Sequence, residues 1–199
     1  TRREGAAAIA FASDDAFATW RGFVDRGIAA DPPVDFARPV EQPGGKQDAR
    51  FRVVQLPVDV TPGCRAFVCQ HFTPELVWLP AYQSHPLGVT GIAGLDIVSA
   101  DPEAAARAYA RVVGTAAGAV KAEAGWFRVP LRGADLRFGP LKDATEPGPR
   151  IEAVRLTVSD VDGAASVLAW RGVAVEPDPA SGWSVAATEA MGVRLVLVG

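Results

Sequence analysis

GIAGLDIVSADPEAAARAYARVVGTA, Gly91 to Ala116, carries a strand, a helix start and a helix end in one run. It opens with an apolar run suited to a strand. Asp101 then stands where an N-cap accepts bonds from the first free helical N–H groups, and Pro102 follows at the first helical position, where a missing N–H is no loss. Ala105, Ala108, Tyr109, Val112 and Val113 share one stripe at helical spacing. Gly114 sits where a left-handed residue ends the helix. The same grammar occurs in AAAIAFASDDAFATWRGFVDRGIA from Ala6 and in IEAVRLTVSDVDGAASVLAWRGVA from Ile151. There Asp14 or Asp15 and Asp160 take the cap, Gly27 and Gly172 the end. Phe17, Trp20, Phe23 and Val24 form the stripe of the first copy.

Short β-prone runs broken by Gly, Pro and Asp follow each helix. They are Val34–Val40, Phe51–Leu56 and Ala66–Phe72, then Trp126–Val129 and Leu136–Phe138, then Trp183–Ala187 and Val193–Val198. Gly44-Gly45 reads as a turn. Strand, helix and further strands, repeated three times, predict an α+β fold of tandem βαβββ modules.

Composition narrows the function. A net charge of −3 on 199 residues, with no block of like charge, gives no footprint for nucleic acid and no polybasic anchor for a membrane. Arg2-Arg3 before Ala6–Ala12 imitates a twin-arginine signal, but Asp14-Asp15 interrupt at once and the pattern recurs later as a strand. No apolar run reaches the roughly 18 residues of a membrane span. Cys64 and Cys69, five apart, would point to opposite faces of a shared strand and cannot bridge, so a reducing cytoplasm is the simplest setting. No phosphate loop, nucleophile elbow or zinc motif is present.

The repeated module resembles the vicinal oxygen chelate superfamily of glyoxalases, extradiol dioxygenases and bleomycin-resistance proteins. More narrowly, DFARPVEQPGGKQDARFRVVQLP (Asp35–Pro57) and RAFVCQHFTPELVW (Arg65–Trp78) are similar to the bacterial glyoxalase-like domain family. The resemblance implies modules working in pairs, four in all. The chain is accordingly divided into a leading module at 1–78, a linker at 79–90 and paired modules at 91–142 and 150–199. A fourth module is expected before Thr1, with a homodimer as the fallback.

The superfamily's metalloenzymes hold a divalent ion through His on first strands and Glu on a last strand. Here those places fall on Gly94, on Ala8 or Ala10, and on Ala153 or Arg155, and the last-strand places on Gln70, on Leu136 or Arg137, and on Val196 or Val198. No inherited metal site and no cofactor is expected. Cys69 and His71 share a strand face, but two ligands are fewer than a zinc site uses. If Ile9, Phe11, Leu95, Ile97, Val154 and Leu156 pack on the helices, the other face presents Ala8, Ala10, Gly94, Asp96, Ala153, Arg155 and Thr157. Asp96, Arg155 and Thr157 on that face, with Gln70 at its last-strand place, are the candidate ligand-binding residues, against the reading of Asp96 and Arg155 as surface charges. His71 and Glu75 are the candidate acid–base pair. The competing reading makes them a strand end and a Thr-Pro-Glu turn, with Glu75 in solvent and Trp78 packed. Trp20, Trp170 and Tyr109 read as helix–sheet packing. Two functions fit: a metal-independent glyoxalase-like enzyme of lyase or isomerase type acting on a small oxygenated metabolite, or a sequestration protein of the bleomycin-resistance type. Asp96, Arg155 and His71 lining one cavity would favour the enzyme.

Overall fold

In the computed structural model, which describes residues 4–141, 148–179 and 182–199, the aspartates start the helices. Asp15, Asp101 and Asp160 each accept a hydrogen bond at 2.9 Å from the amide three residues on, at Ala18, Ala104 and Gly163. The helices are α1 (Ala16–Asp25), α2 (Pro102–Val113) and α3 (Val161–Trp170). Gly27, Gly114 and Gly172 close them with φ of 68°, 73° and 82°. Thr1, Arg2-Arg3 and the boundary drawn at Lys142 lie outside the described residues.

The architecture is mixed α+β with two sheets. The first unit spans Ala8–Thr61 and Arg65–Gln83. Its strands are β1 (Ala8–Ala12), β2 (Val34–Gln42), β3 (Gly45–Gln55) and β4 (Arg65–His71), in the order β1-β4-β3-β2. β1 lies parallel to β4, while β2 and β3 form a hairpin closed by Gln42 opposite Gly45. Phe23, Ala16 and Ile28 are buried with Val54, Ala66 and Val68. Away from α1, Ala49, Phe51, Val53 and Cys69 form an apolar cluster with Val40, Phe67, Leu76 and Val77 packed against it.

The second unit holds Ser84–Gly199 together with Pro62–Cys64 and, of the described residues, 4–7. Its strands are β5 (Val89–Ser99), β6 (Lys121–Glu123), β7 (Trp126–Pro130), β8 (Asp135–Pro140), β9 (Arg150–Val158), β10 (Val175–Pro177), β11 (Trp183–Val185) and β12 (Arg194–Val198). They form one sheet ordered β10-β11-β12-β9-β5-β8-β7-β6. Each half repeats the plan of the first unit, with β5 parallel to β8 and β9 parallel to β12. The halves meet where β5 and β9 run antiparallel. On the helix side, the fully buried Tyr109 packs on Phe138 with ring centroids 4.9 Å apart, and Leu156, Val158 and Leu197 pack with Ala164 and Leu168 of α3.

Three expectations change. The stripe on α1 is narrower than its spacing suggests: Phe23 is buried, but Phe17 and Val24 are 41% and 52% exposed. Phe17 instead carries the Arg52 guanidinium 4.7 Å above its ring. Trp170, at the end of α3, is 83% exposed rather than packed. β6 and β10, three residues each, escape periodicity because so short an edge strand has no pattern to show. Among the described residues no helix is long and apolar enough to cross a membrane.

Candidate functional site

Strand pairing in the second unit puts one row of side chains across six strands. Lys121 of β6 pairs with Arg128 of β7, Arg128 with Arg137 of β8, and Arg137 with Asp96 of β5. Asp96 pairs with Ala153 of β9, and Ala153 with Arg194 of β12. Partners in a ladder share a face of the sheet, so four cations and one acid lie in line. The neighbouring row runs Pro130, Asp135, Gly94, Arg155 and Val196.

These rows floor a cavity of about 480 Å³ walled by Asp96, Arg128, Arg137, Arg155, Arg194 and Trp126, with Glu123 and Asp178 at its margin. Gly139 makes room for Trp126: a Cβ there would come within 2.7 Å of the indole carbons. All of these residues belong to the second unit.

Arg155 is the hub. Its Nε donates to Asp96 Oδ1 at 2.9 Å, and its Nη2 donates to both the Oδ1 and the carbonyl oxygen of Asp135. Arg155 and Asp96 are 4% and 6% exposed, too little for the surface charges of the competing reading. Asp135 also accepts from Arg128 Nε at 2.5 Å, and Arg194 donates to Asp178 at 2.9 Å. Burial pushes the Asp96 carboxyl above the ordinary range, against the pull of Arg155 and Arg137. Asp135 is pushed upward by burial as well, but hydrogen bonds from Arg128 and Arg155 outweigh this and hold it below the ordinary range. The two neighbouring carboxyls are thus shifted in opposite directions.

The remaining candidates lie elsewhere. Thr157 is two residues past Arg155 on β9, where its carbonyl accepts from the Thr90 hydroxyl at 3.3 Å, and it is not part of the cavity wall. Gln70 is turned toward α1: its Oε1 accepts from the Ala16 amide at 3.0 Å and its Nε2 donates to the Asp14 carbonyl at 2.7 Å. His71 packs edge-on against Phe51 at 4.9 Å, and its buried Nδ1 has no hydrogen-bond partner among the described residues. Glu75 is exposed on a short 3-10 turn, and no bond joins it to His71 among the described residues. Trp78, expected to pack, is 61% exposed with its ring 6.1 Å from that of His71.

The inherited metal positions do not fit an ion. A Cβ at Gly94 would collide with the Asp135 carbonyl oxygen and the Arg155 guanidinium, so a cation already fills the space an imidazole would need. Arg137 occupies the adjoining last-strand place, and Gln70 is spent on a helix start. Among the described residues no group of three or more His, Cys, Asp or Glu could hold a metal.

Sequence reading missed Asp135, Arg128, Arg137 and Arg194 as partners in one site. The signal for the three arginines is an Arg set singly between apolar residues, in FRV at Phe127–Val129, LRF at Leu136–Phe138 and VRL at Val193–Leu195, as in VRL at Val154–Leu156, and Asp135 carries none.

Comparison with known proteins agrees with the fold. The sequence profile of the glyoxalase-like domain family matches residues 1–113. No protein of curated function matches in sequence. A hypothetical protein from Staphylococcus aureus is similar in structure at a TM-score of 0.63 and 9% identity, over 94% of this chain and 64% of that one. A mutant 4-hydroxymandelate synthase from Streptomyces coelicolor is similar at 0.52 and 19% identity, over 87% of this chain and 55% of that one. Methylmalonyl-CoA epimerase from Mycobacterium tuberculosis gives 0.46 and 22% identity, over 59% of this chain and 94% of that one. The chain therefore spans less than two thirds of the first two of these proteins.

Proposed function

The chain belongs to the glyoxalase-like domain family, and from that premise we propose that its eight-stranded sheet holds a small oxygenated metabolite and exchanges a proton with it through Asp96. One observation carries this reading: a buried carboxyl in the cavity wall, that of Asp96, stands 2.9 Å from the fixed guanidinium of Arg155, and burial raises its pKa. Burial that raises a carboxyl's pKa makes it the stronger base, and a guanidinium beside it can steady negative charge developing on a ligand oxygen. No step is routed through a metal, because Arg155 fills the place where one would bind. The chemistry is of the isomerase or lyase kind, in which a proton leaves carbon next to a carbonyl.

The test is solvent deuterium exchange into a panel of small hydroxy- and oxo-compounds, followed by NMR. The native protein should exchange at least one of them and Asp96→Asn should lose that activity by about a hundredfold or more. Tight retention of a compound with no exchange in either protein would assign sequestration instead.

We also infer that the four-stranded sheet is completed by another βαβββ module. β5 and β9 join the halves of the larger sheet edge to edge, whereas the equivalent β1 has β4 on one side and no partner on the other among the described residues. Light scattering on this chain should show self-association through the β1 edge. A stable monomer that buries the β1 edge within itself would sink the inference.

A further inference from the structure

Among the described residues, Arg137 is the cleft guanidinium with the weakest carboxylate pairing. The described acids at this part of the sheet are Asp96, Asp135, Asp178 and Glu123. Arg155 takes Asp96 and one oxygen of Asp135, Arg128 takes the other oxygen of Asp135, and Arg194 takes Asp178. Arg194 also approaches Asp96 at 4.0 Å. Besides the longer-range pull of Asp96, what remains for Arg137 among the described residues is a 3.8 Å approach of its Nε to Asp135 Oδ1, an oxygen Arg155 already occupies. That is beyond hydrogen-bonding distance. Glu123 is exposed on β6 and makes no ion pair among the described residues.

The position of Arg137 sharpens the point. It stands directly across the β7–β8 ladder from Arg128. Like charges directly opposite on antiparallel strands cost the sheet stability. Both side chains border the cavity, Arg137 with 32% and Arg128 with 44% of the side chain exposed. Asp96 is the ladder partner of Arg137 on the other side. A planar guanidinium with free donors matches the two oxygens of a carboxylate, which a compact ammonium does not.

We propose that the cleft selects a small carboxylic acid, its carboxylate held by Arg137 with Arg128 beside it and its adjoining carbon turned toward Asp96. The proposal rests on the cleft being the ligand site and adds the class of ligand. The weakly paired Arg137 guanidinium draws the anion, and the buried Arg155 network keeps the floor in shape. The same arrangement disfavours neutral esters and amides, which would leave Arg137 facing an oxygen without charge.

Calorimetric titration at fixed ionic strength tests it, with malonate, its dimethyl ester and inorganic phosphate as probes. Malonate should bind at least tenfold more tightly than the diester. Arg137→Gln should weaken malonate at least tenfold, Arg137→Lys should restore only part of that loss, and Arg107→Gln, on the exposed face of α2, should change nothing. Binding of the diester equal to malonate, unchanged in Arg137→Gln but lost in Trp126→Ala, would overturn the carboxylate preference and leave the cleft as the ligand site. Preference for phosphate over malonate would overturn the choice of a carboxylate. Failure of every probe to bind would overturn both readings.

Discussion

Five residues before each helix cap stand Ala10, Asp96 and Arg155, and seven before each stand Ala8, Gly94 and Ala153. In the four-stranded sheet the parallel partners of the alanines are Phe67 and Arg65. In the eight-stranded sheet Asp96 faces Arg137, Gly94 faces Asp135 and Ala153 faces Arg194. One backbone plan therefore carries two chemistries. The smaller sheet turns an apolar and aromatic face away from its helix, with Phe36 stacked on Phe51 and His71 edge-on to it. The larger sheet turns a charged one. What separates them is the β5–β9 junction, which brings Gly94 opposite Arg155 so that a guanidinium from one half reaches the carboxylates of the other. The network that shapes the cleft also ties the two halves together. Fold alone would not have told the two faces apart.

The hardest test of that contrast is Asp135→Asn. It leaves Arg155 and Arg128 without the anion that holds both, and removing one partner of a buried pair costs about 3–5 kcal/mol. Asp96→Asn should cost much less, because Arg155 keeps Asp135 and a carboxyl that burial disfavours is replaced by a neutral amide. Acid unfolding separates them further. The folded pKa of Asp135 lies below its unfolded value of about 3.9, so its stabilisation is present above that pH and is lost as pH falls through the folded value. For Asp96 the folded pKa is raised, so its contribution is fullest below about 3.9 and is lost as pH rises through the folded value. Urea unfolding across pH should show Asp135→Asn with a flattened acid limb. Equal losses in the two variants, or an unchanged acid limb, would mean the network does not hold the junction.

Most of the fold was legible because its signals are local and repeated. A capping Asp, an amphipathic helix and a left-handed Gly need only a few neighbouring residues to be recognised, and each did its part three times. Asp96 and Arg155 were legible too, since strand alternation alone puts them on the face away from the helices. Asp135 was not. It follows the turn at Gly133-Ala134 and reads as loop, and only its register with Gly94 shows what it holds. Arg128, Arg137 and Arg194 each sit alone among apolar residues. They converge because the strand order β7-β8-β5-β9-β12 is not the chain order, which no local pattern encodes. Gln70 shows the sharpest limit of face assignment: one step along β4 separates the side facing α1 from the side of Cys69 and His71.

Gln70 also gives the smallest expected effect and the finest test of the contrast. Its amide bonds the Ala16 N–H, one of the free amides at the start of α1, and the Asp14 carbonyl just outside the helix. Both bonds are local to the four-stranded unit, and neither faces the cluster around Phe51. Net hydrogen bonds of this kind contribute about 0.5–1.5 kcal/mol each, and the Asp15 cap remains in place to hold the helix start. Gln70→Ala should therefore lower stability by about 1–2 kcal/mol, with faster amide exchange at Ala16 and its neighbours. Malonate binding in the eight-stranded cleft should be unaffected, because the bonds broken lie in the other unit. Unchanged unfolding with weakened binding would show that Gln70 serves a ligand after all, and that the smaller sheet is no mere scaffold.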